Sequence, residues 1–249
     1  MEKTHLYRFY MFGWDFHMLY GGYTSKSVKD AREFIKKITD FAENQHLDVT
    51  TQVIKSESSD LLKNLNSQKA DETASKVSME ETKLFARTIE KTLDAELRLK
   101  YAFILTPKRL DLNKLLDNVE ELFGTGIFEK MSNLSKKDFR EAGKCIAFER
   151  PTAAAFHILR ATEETLRSFY HRKIPKKEQN ELPLWKSMID QLRKKPKVSK
   201  SILDSFDNIR SNFRNFTIHT DTFYTMDEIQ DLLLLCIEAN SRATKELSK

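Results

Sequence analysis

Thr225-Met226-Asp227-Glu228, followed by Ile229-Gln230-Asp231-Leu232-Leu233-Leu234-Leu235-Cys236-Ile237, is the stretch that decides the fold class of this chain. A threonine with a glutamate three residues later forms a capping box, in which each side chain satisfies a backbone amide at the start of a helix. Behind it, Ile229, Leu232, Leu233, Cys236 and Ile237 recur at intervals of three and four, the period of one helical face. The stretch therefore predicts a long final helix with one buried side.

The same period continues towards the N-terminus. Ile202, Phe206, Ile209 and Phe213 mark an inner helical face, and Leu184 to Leu192 reads as a shorter helix. Ala153 to Arg172 and Phe139 to Phe148 are helical stretches on either side of Pro151, a residue suited to a first turn or a kink. Ser135 is the expected N-cap of the earlier stretch. Leu115, Leu116, Val119, Leu122 and Phe123 predict one helix stopped by Gly124 and Gly126. The expectation for residues 106–249 is a helical bundle.

Residues 1–105 are less regular and read as a separate helical region. Tyr7, Phe9, Tyr10, Phe12, Trp14 and Phe16 include alternating positions, which predicts an early strand or hairpin turning at Gly21-Gly22. Val28, Ala31, Phe34, Ile35, Ile38, Phe41 and Ala42 give an amphipathic helix between Ser27 and His46. The serine-rich stretch after it holds Leu61, Leu62 and Leu65, enough for a short helix, and 66–78 reads as a flexible connection. Ser78-Met79-Glu80-Glu81 predicts a second capping box, opening a helix to about Lys100. Tyr101 to Thr106 has the composition of a short strand ended by Pro107. The fold class expected is mainly α, with a short hairpin or strands near the N-terminus.

The 249 residues include 40% hydrophobic and 32% charged residues, with few Gly and Pro and a net charge of +5. That profile suits a helix-rich protein with a packed core. No run of apolar residues is long enough for a membrane span, and the first residues lack the parts of a signal peptide. Cys145 and Cys236 lie in apolar surroundings, as core thiols of a reducing compartment do. The expectation is a cytoplasmic protein. The positive charge supports a nucleic-acid partner without requiring one. It gathers at Lys173, Lys176 and Lys177 and again at Arg193, Lys194, Lys195, Lys197 and Lys200. Such groups are either solvated helix ends or a rim facing phosphates.

Arg214-Asn215-Phe216-Thr217-Ile218-His219 carries the chemistry. Arginine is a permanent cation with a planar fork that matches phosphate oxygens. Histidine exchanges a proton near neutral pH, its ordinary pKa being about 6.5. Positions five apart on a straight α-helix diverge by about 140°, so the two side chains can converge only where the chain leaves helical geometry. The capping box at Thr225 places such an exit between Phe216 and Tyr224. By spacing alone, Arg214 could equally pair with a surface acid and His219 cap a neighbouring helix. His157, between Phe156 and Ile158, reads as a core histidine. Of Glu163 and Glu164, one is expected to be solvated and the other to tie helices together. Trp14 and Trp185 read as packing residues. His5, His17, His46 and His171 form no ligand spacing, so no metal site is expected, and no phosphate-binding loop, dinucleotide fingerprint or serine nucleophile elbow is present.

With its position between the last two helices of a bundle, the segment resembles the HEPN superfamily (higher eukaryotes and prokaryotes nucleotide-binding domains). The similarity extends back through Glu141 to Glu163 and covers roughly residues 112–249. Phe216 stands where many such sequences carry proline. The resemblance implies a metal-independent endoribonuclease with no cofactor, a toxin or antiviral-defence effector whose site is shared across a homodimer. It implies Arg214 on the scissile phosphate, His219 as proton carrier, and Asn215, Arg210 and Glu163 as supporting or RNA-binding residues. It also implies an antitoxin or sensor protein as partner, which residues 1–105 could receive. The alternative is a non-catalytic member that binds RNA, a nucleotide or a protein.

Overall fold

The computed structural model describes residues 5–20, 27–70, 73, 76–179, 183–217 and 223–248. The chain divides into two compact units, Met1–Phe103 and Ile104–Lys249. Both are helical, and no strand occurs among the described residues.

The first unit contains α1 (Leu6–Tyr20), α2 (Val28–Asn44), α3 (Asp48–Asn66) and α4 (Lys76–Leu97). The strand expected near the N-terminus is instead α1. So many aromatics satisfy a period of two and a period of 3.6 alike, and packing decides between them. Phe9, Phe12 and Phe16 fall on one side of α1 and meet α2: Phe12 stacks on Phe41 at 3.8 Å, and Phe16 meets Phe34 edge-on at 5.2 Å. Trp14, expected to pack, is half exposed on the other side, with Tyr7 and Tyr10. The turn expected at Gly21-Gly22 lies outside the described residues.

The buried stripe of α2 matches its sequence period, and Ser27 caps it by accepting from the Asp30 amide. The helix expected to be short is the full α3, which buries Ile54, Leu61 and Leu65. Its N-cap, Leu47, has no side-chain acceptor. Glu96 of α4 takes that role from a distance, accepting from the amides of Val49 and Thr50 and from the Thr50 hydroxyl. Ser78 does not cap α4. It lies inside the helix, where its hydroxyl accepts from Gln68 just beyond α3. Tyr101 to Thr106 is no strand: it has no regular structure, and Tyr101, Phe103 and Ile104 are highly exposed. A strand needs an edge to pair with, and the described residues contain no sheet.

The second unit is a bundle of α5 (Leu112–Leu116), α6 (Asn133–Ala147), α7 (Pro151–Lys173), α8 (Trp185–Arg193), α9 (Lys200–Ile209), α10 (Asn215–Thr217) and α11 (Met226–Leu247). The helix expected from Leu115 to Phe123 breaks at Asp117-Asn118, residues that favour turns, and resumes as a 3-10 turn at Val119–Leu122. Ser132, not Ser135, caps α6; Ser135 is buried one turn later and donates to the Ala161 carbonyl of α7. Pro151 occupies the first turn of α7, where its missing N–H costs nothing. α7 runs through the middle of the unit, packed on both α6 and α11. Trp185, Tyr170, Phe169, Phe206 and Cys236 fill the core around it.

Candidate functional site

α9 does not end at Ile209. The chain widens into a π turn over Arg210–Arg214, closed by the Asn215 amide donating to the Arg210 carbonyl, and returns to α geometry in α10. A π turn inserts one residue into the helical register; such turns are rare and frequently occur at functional sites. It shifts the direction of everything that follows, including the Arg-Asn pair. His219 itself lies outside the described residues, as does the rest of 218–222.

The two ends of that segment are tied. The Thr217 hydroxyl, 5% exposed, lies 2.6 Å from the Tyr224 hydroxyl. Both converge on the Phe213 carbonyl, at 2.8 Å and 3.3 Å. Burial raises the Tyr224 phenol above its ordinary value, and the Thr217 hydrogen bond opposes this. Tyr224 therefore stays a neutral hydroxyl that can donate. One residue on, the Thr225 box forms as the sequence requires: Oγ1 accepts from the Glu228 amide at 3.2 Å, and the Glu228 carboxylate accepts from the Thr225 amide at 2.8 Å. Chain exit and re-entry are thus both fixed by side chains.

Arg214 is half-buried on the π turn and has no hydrogen bond or ion pair among the described residues. Arg210 differs: its side chain is 19% exposed, and Asp207 holds both Nε at 2.9 Å and Nη2 at 2.8 Å. Arg193 reaches the same aspartate at 3.2 Å. Arg210 is therefore a neutralised neighbour rather than a second free cation. Asn215 follows Arg214 in α10 and is half-buried. Glu163 accepts from Arg167 on its own helix at 3.2 Å, and Arg167 also approaches Glu164 at 4.0 Å. The lysine and arginine groups are partly spent on acids, with Lys195 on Glu178, Arg193 on Asp204 and Lys173 near Glu246. A groove of about 320 Å³ runs beside α9, but Asp204, Glu238 and serines line it, which makes it unsuited to an anion.

A second polar cluster joins α6 to α7. Asp138, with no exposed surface, accepts from Arg160 Nε at 2.6 Å, from Arg160 Nη2, and from His157 Nδ1 at 2.9 Å. Desolvation pushes its carboxyl up, but the hydrogen bonds and charges of Arg160 and His157 prevail and hold it below the ordinary value. An ionised carboxylate only accepts, so Nδ1 of His157 carries the proton and Nε2 is the basic nitrogen of the neutral ring. His157 is 30% exposed at its side chain. It is neither a sealed core residue nor part of the Arg214 segment. Asp138 was missed in the sequence, although one signal existed: Ser135, Asp138, Phe139, Ala142 and Ile146 share an inner stripe. An acid there demands a cation.

Cys236 is fully buried, which pushes its thiol up to about 12, and burial also raises Cys145. Neither is a nucleophile in this state. Among the described residues no group of three or more His, Cys, Asp or Glu could hold a metal ion, and no helix is long and apolar enough to cross a membrane. No family model matches the chain, and neither a curated protein nor a solved structure is significantly similar to it.

Proposed function

We propose that the second unit is a metal-independent endoribonuclease of the HEPN type, with Arg214 as phosphate clamp and His219 as proton carrier. The observation that carries the reading is an arginine without a partner among the described residues, presented on a π turn, five residues before a histidine. A half-exposed guanidinium that no described acid occupies keeps its planar fork available to phosphate oxygens. Arg210, held by Asp207, braces the start of the turn and leaves the phosphate contact to Arg214.

The chemistry follows from these groups. A neutral imidazole takes the proton of a ribose 2′-OH, and O2′ attacks the adjacent phosphorus. Arg214 stabilises the extra charge on the phosphorane oxygens. The 5′ oxygen leaves with a proton from an imidazolium, giving a 2′,3′-cyclic phosphate and a 5′-OH end. One histidine supplies one of these transfers, so the reaction needs a second acid-base group, which a homodimer provides as its own His219. The first unit is then free to receive an antitoxin or sensor, and the protein acts as a toxin or defence effector in the cytoplasm.

The test is cleavage of total RNA by the full chain in excess chelator. His219→Ala should lower the rate by about 10²–10⁴, and Arg214→Ala by about 10²–10³. Cyclic phosphate ends are expected, and DNA should resist. Cleavage that survives His219→Ala, or that stops on chelation, refutes the proposal. RNA binding without cleavage leaves the non-catalytic module.

A further inference from the structure

The cluster between α6 and α7 holds more than a structural tie requires. A buried carboxylate needs a cation and hydrogen bonds. Arg160 alone supplies both, with Nε on one oxygen of Asp138 and Nη2 on the other. His157 adds a third donor, its Nδ1 lying 2.9 Å from the oxygen that Nη2 already holds. For the carboxylate that contact is surplus. For the ring it settles the chemistry: the proton is fixed on Nδ1, and the lone pair of Nε2 has no hydrogen-bond partner among the described residues. The imidazole is 30% exposed and the Arg160 side chain 60%. Both reach the same carboxylate oxygen, so ring and guanidinium stand side by side. Glu141, one turn along α6, has its charge offset by Lys144 at 2.7 Å.

We propose that Nε2 of His157 is a phosphoryl acceptor, with Asp138 as its positioning residue and the Arg160 guanidinium beside it. The proposal does not depend on the nuclease reading. No hydroxyl or thiol is hydrogen-bonded to Nε2 among the described residues, so this nitrogen has no side-chain nucleophile to activate and is itself the nucleophile. The donor class is an N-phosphoryl compound. The Nε2 lone pair forms a bond to phosphorus, the P–N bond of the donor breaks, and the donor nitrogen, already protonated, leaves with the electron pair as an amine. The product ring keeps its Nδ1 proton, carries phosphorus on Nε2 and is a cation. Asp138 faces that positive charge as it develops, and Arg160 stands next to the phosphoryl oxygens. The chain contains its own comparison in His171, on the same helix. There Nδ1 donates to the Gln179 amide oxygen at 2.8 Å, a neutral acceptor, and the ring is exposed. Access favours His171; the carboxylate favours His157.

The experiment incubates the full chain with phosphoramidate, follows each histidine by peptide mass spectrometry under alkaline conditions, and assigns the modified ring nitrogen by phosphorus NMR. His157 should be modified first, on Nε2, about tenfold faster than His171, the difference between a hydrogen bond to a charged acceptor and one to a neutral acceptor. His157→Gln should abolish that signal and leave the His171 rate unchanged. Asp138→Asn keeps an oxygen for Nδ1 but removes the charge, so it should slow His157 about tenfold and again leave His171 alone. A His157 that merely ties helices predicts the opposite order, with exposed His171 reacting first. That order, equal rates at the two residues, or phosphorus on Nδ1 of His157 overturns the proposal. The comparison of the two histidines is made within the wild type, so it stands even where a variant fails to fold, and emission from buried Trp185 checks the variants.

Discussion

Replacing glycine by alanine inside a helix normally stabilises it, by about 0.8–1.0 kcal/mol. At Gly143, in the middle of α6, the sign should invert. A Cβ built there would lie 2.3 Å from the Leu115 carbonyl oxygen and 3.2 Å from its carbon. Ordinary contact begins more than an ångström further out, and the obstacle is the backbone of α5 rather than a flexible side chain. Either α5 moves off α6 or α6 bends, and Leu115, with no exposed surface, is carried along. Overpacking of this kind costs about 1–3 kcal/mol. With a backbone obstacle placing the cost towards the upper end, and the propensity gain subtracted, Gly143→Ala should lose about 1–2 kcal/mol.

Gly13 is the internal control. It lies within α1, and nothing stands within 4 Å of its would-be Cβ, so Gly13→Ala should gain about 0.5–1 kcal/mol. The two tryptophans separate the readouts, since Trp14 belongs to the first unit and buried Trp185 to the second. Urea denaturation in a Trp14→Phe background follows the second unit alone, and Trp185→Phe follows the first. If Gly143→Ala raises the midpoint of the second unit as Gly13→Ala raises that of the first, then α5 does not rest on α6 as described.

Two further outcomes follow from buried carboxylates. Glu96→Ala removes the acceptor that satisfies the opening amides of α3, and by analogy with loss of a helix cap it should cost the first unit about 1–2 kcal/mol, while Trp185 unfolding stays unchanged. Asp138 is held below its ordinary pKa of 3.8, so it binds fewer protons folded than unfolded near that pH. Its contribution is complete above the unfolded value and disappears as pH falls through the lower folded one. Asp138→Asn should therefore cost about 1–3 kcal/mol at pH 7 and flatten the acid limb of the second unit's stability curve. An unchanged acid limb would show that Asp138 is not the group titrating there.

The helices whose stripes could be read were those with a partner on one side only. In α2 and α11 the apolar period alone names the buried residues, because one face meets the core and the other meets water. Reading failed where tertiary contacts chose between local alternatives. Ser78 and Ser135 have the composition of caps, yet Ser78 spends its hydroxyl on Gln68 just beyond α3 and Ser135 on the Ala161 carbonyl of α7. The alternation in α1 was an accident of aromatic density, resolved by Phe34 and Phe41 of α2. Glu96 caps a helix that starts almost fifty positions earlier, a relation that no local pattern contains.

The candidate site shows the same division at the level of chemistry. Residue types and spacing point to Arg214 and His219, but which cation is available is a property of packing. Arg210 and Arg214 are one turn apart and alike in sequence; Asp207 neutralises the first and leaves the second. The π turn between them has no composition that announces it, because it depends on how α9 must leave the core after Ile209. A π turn absorbs one extra residue, so deleting Ser211 or Asn212, the exposed residues of the turn, should close it to ordinary α geometry while Arg214 keeps nearly its present direction relative to α9. Deleting both removes one residue more and should turn Arg214 by about 100° away from that direction. Phosphate binding should survive the single deletion and fall in the double one as far as it does in Arg214→Ala, although the arginine is still present; loss of binding in the single deletion would show that the wide turn itself, and not the direction of Arg214, is what the site needs.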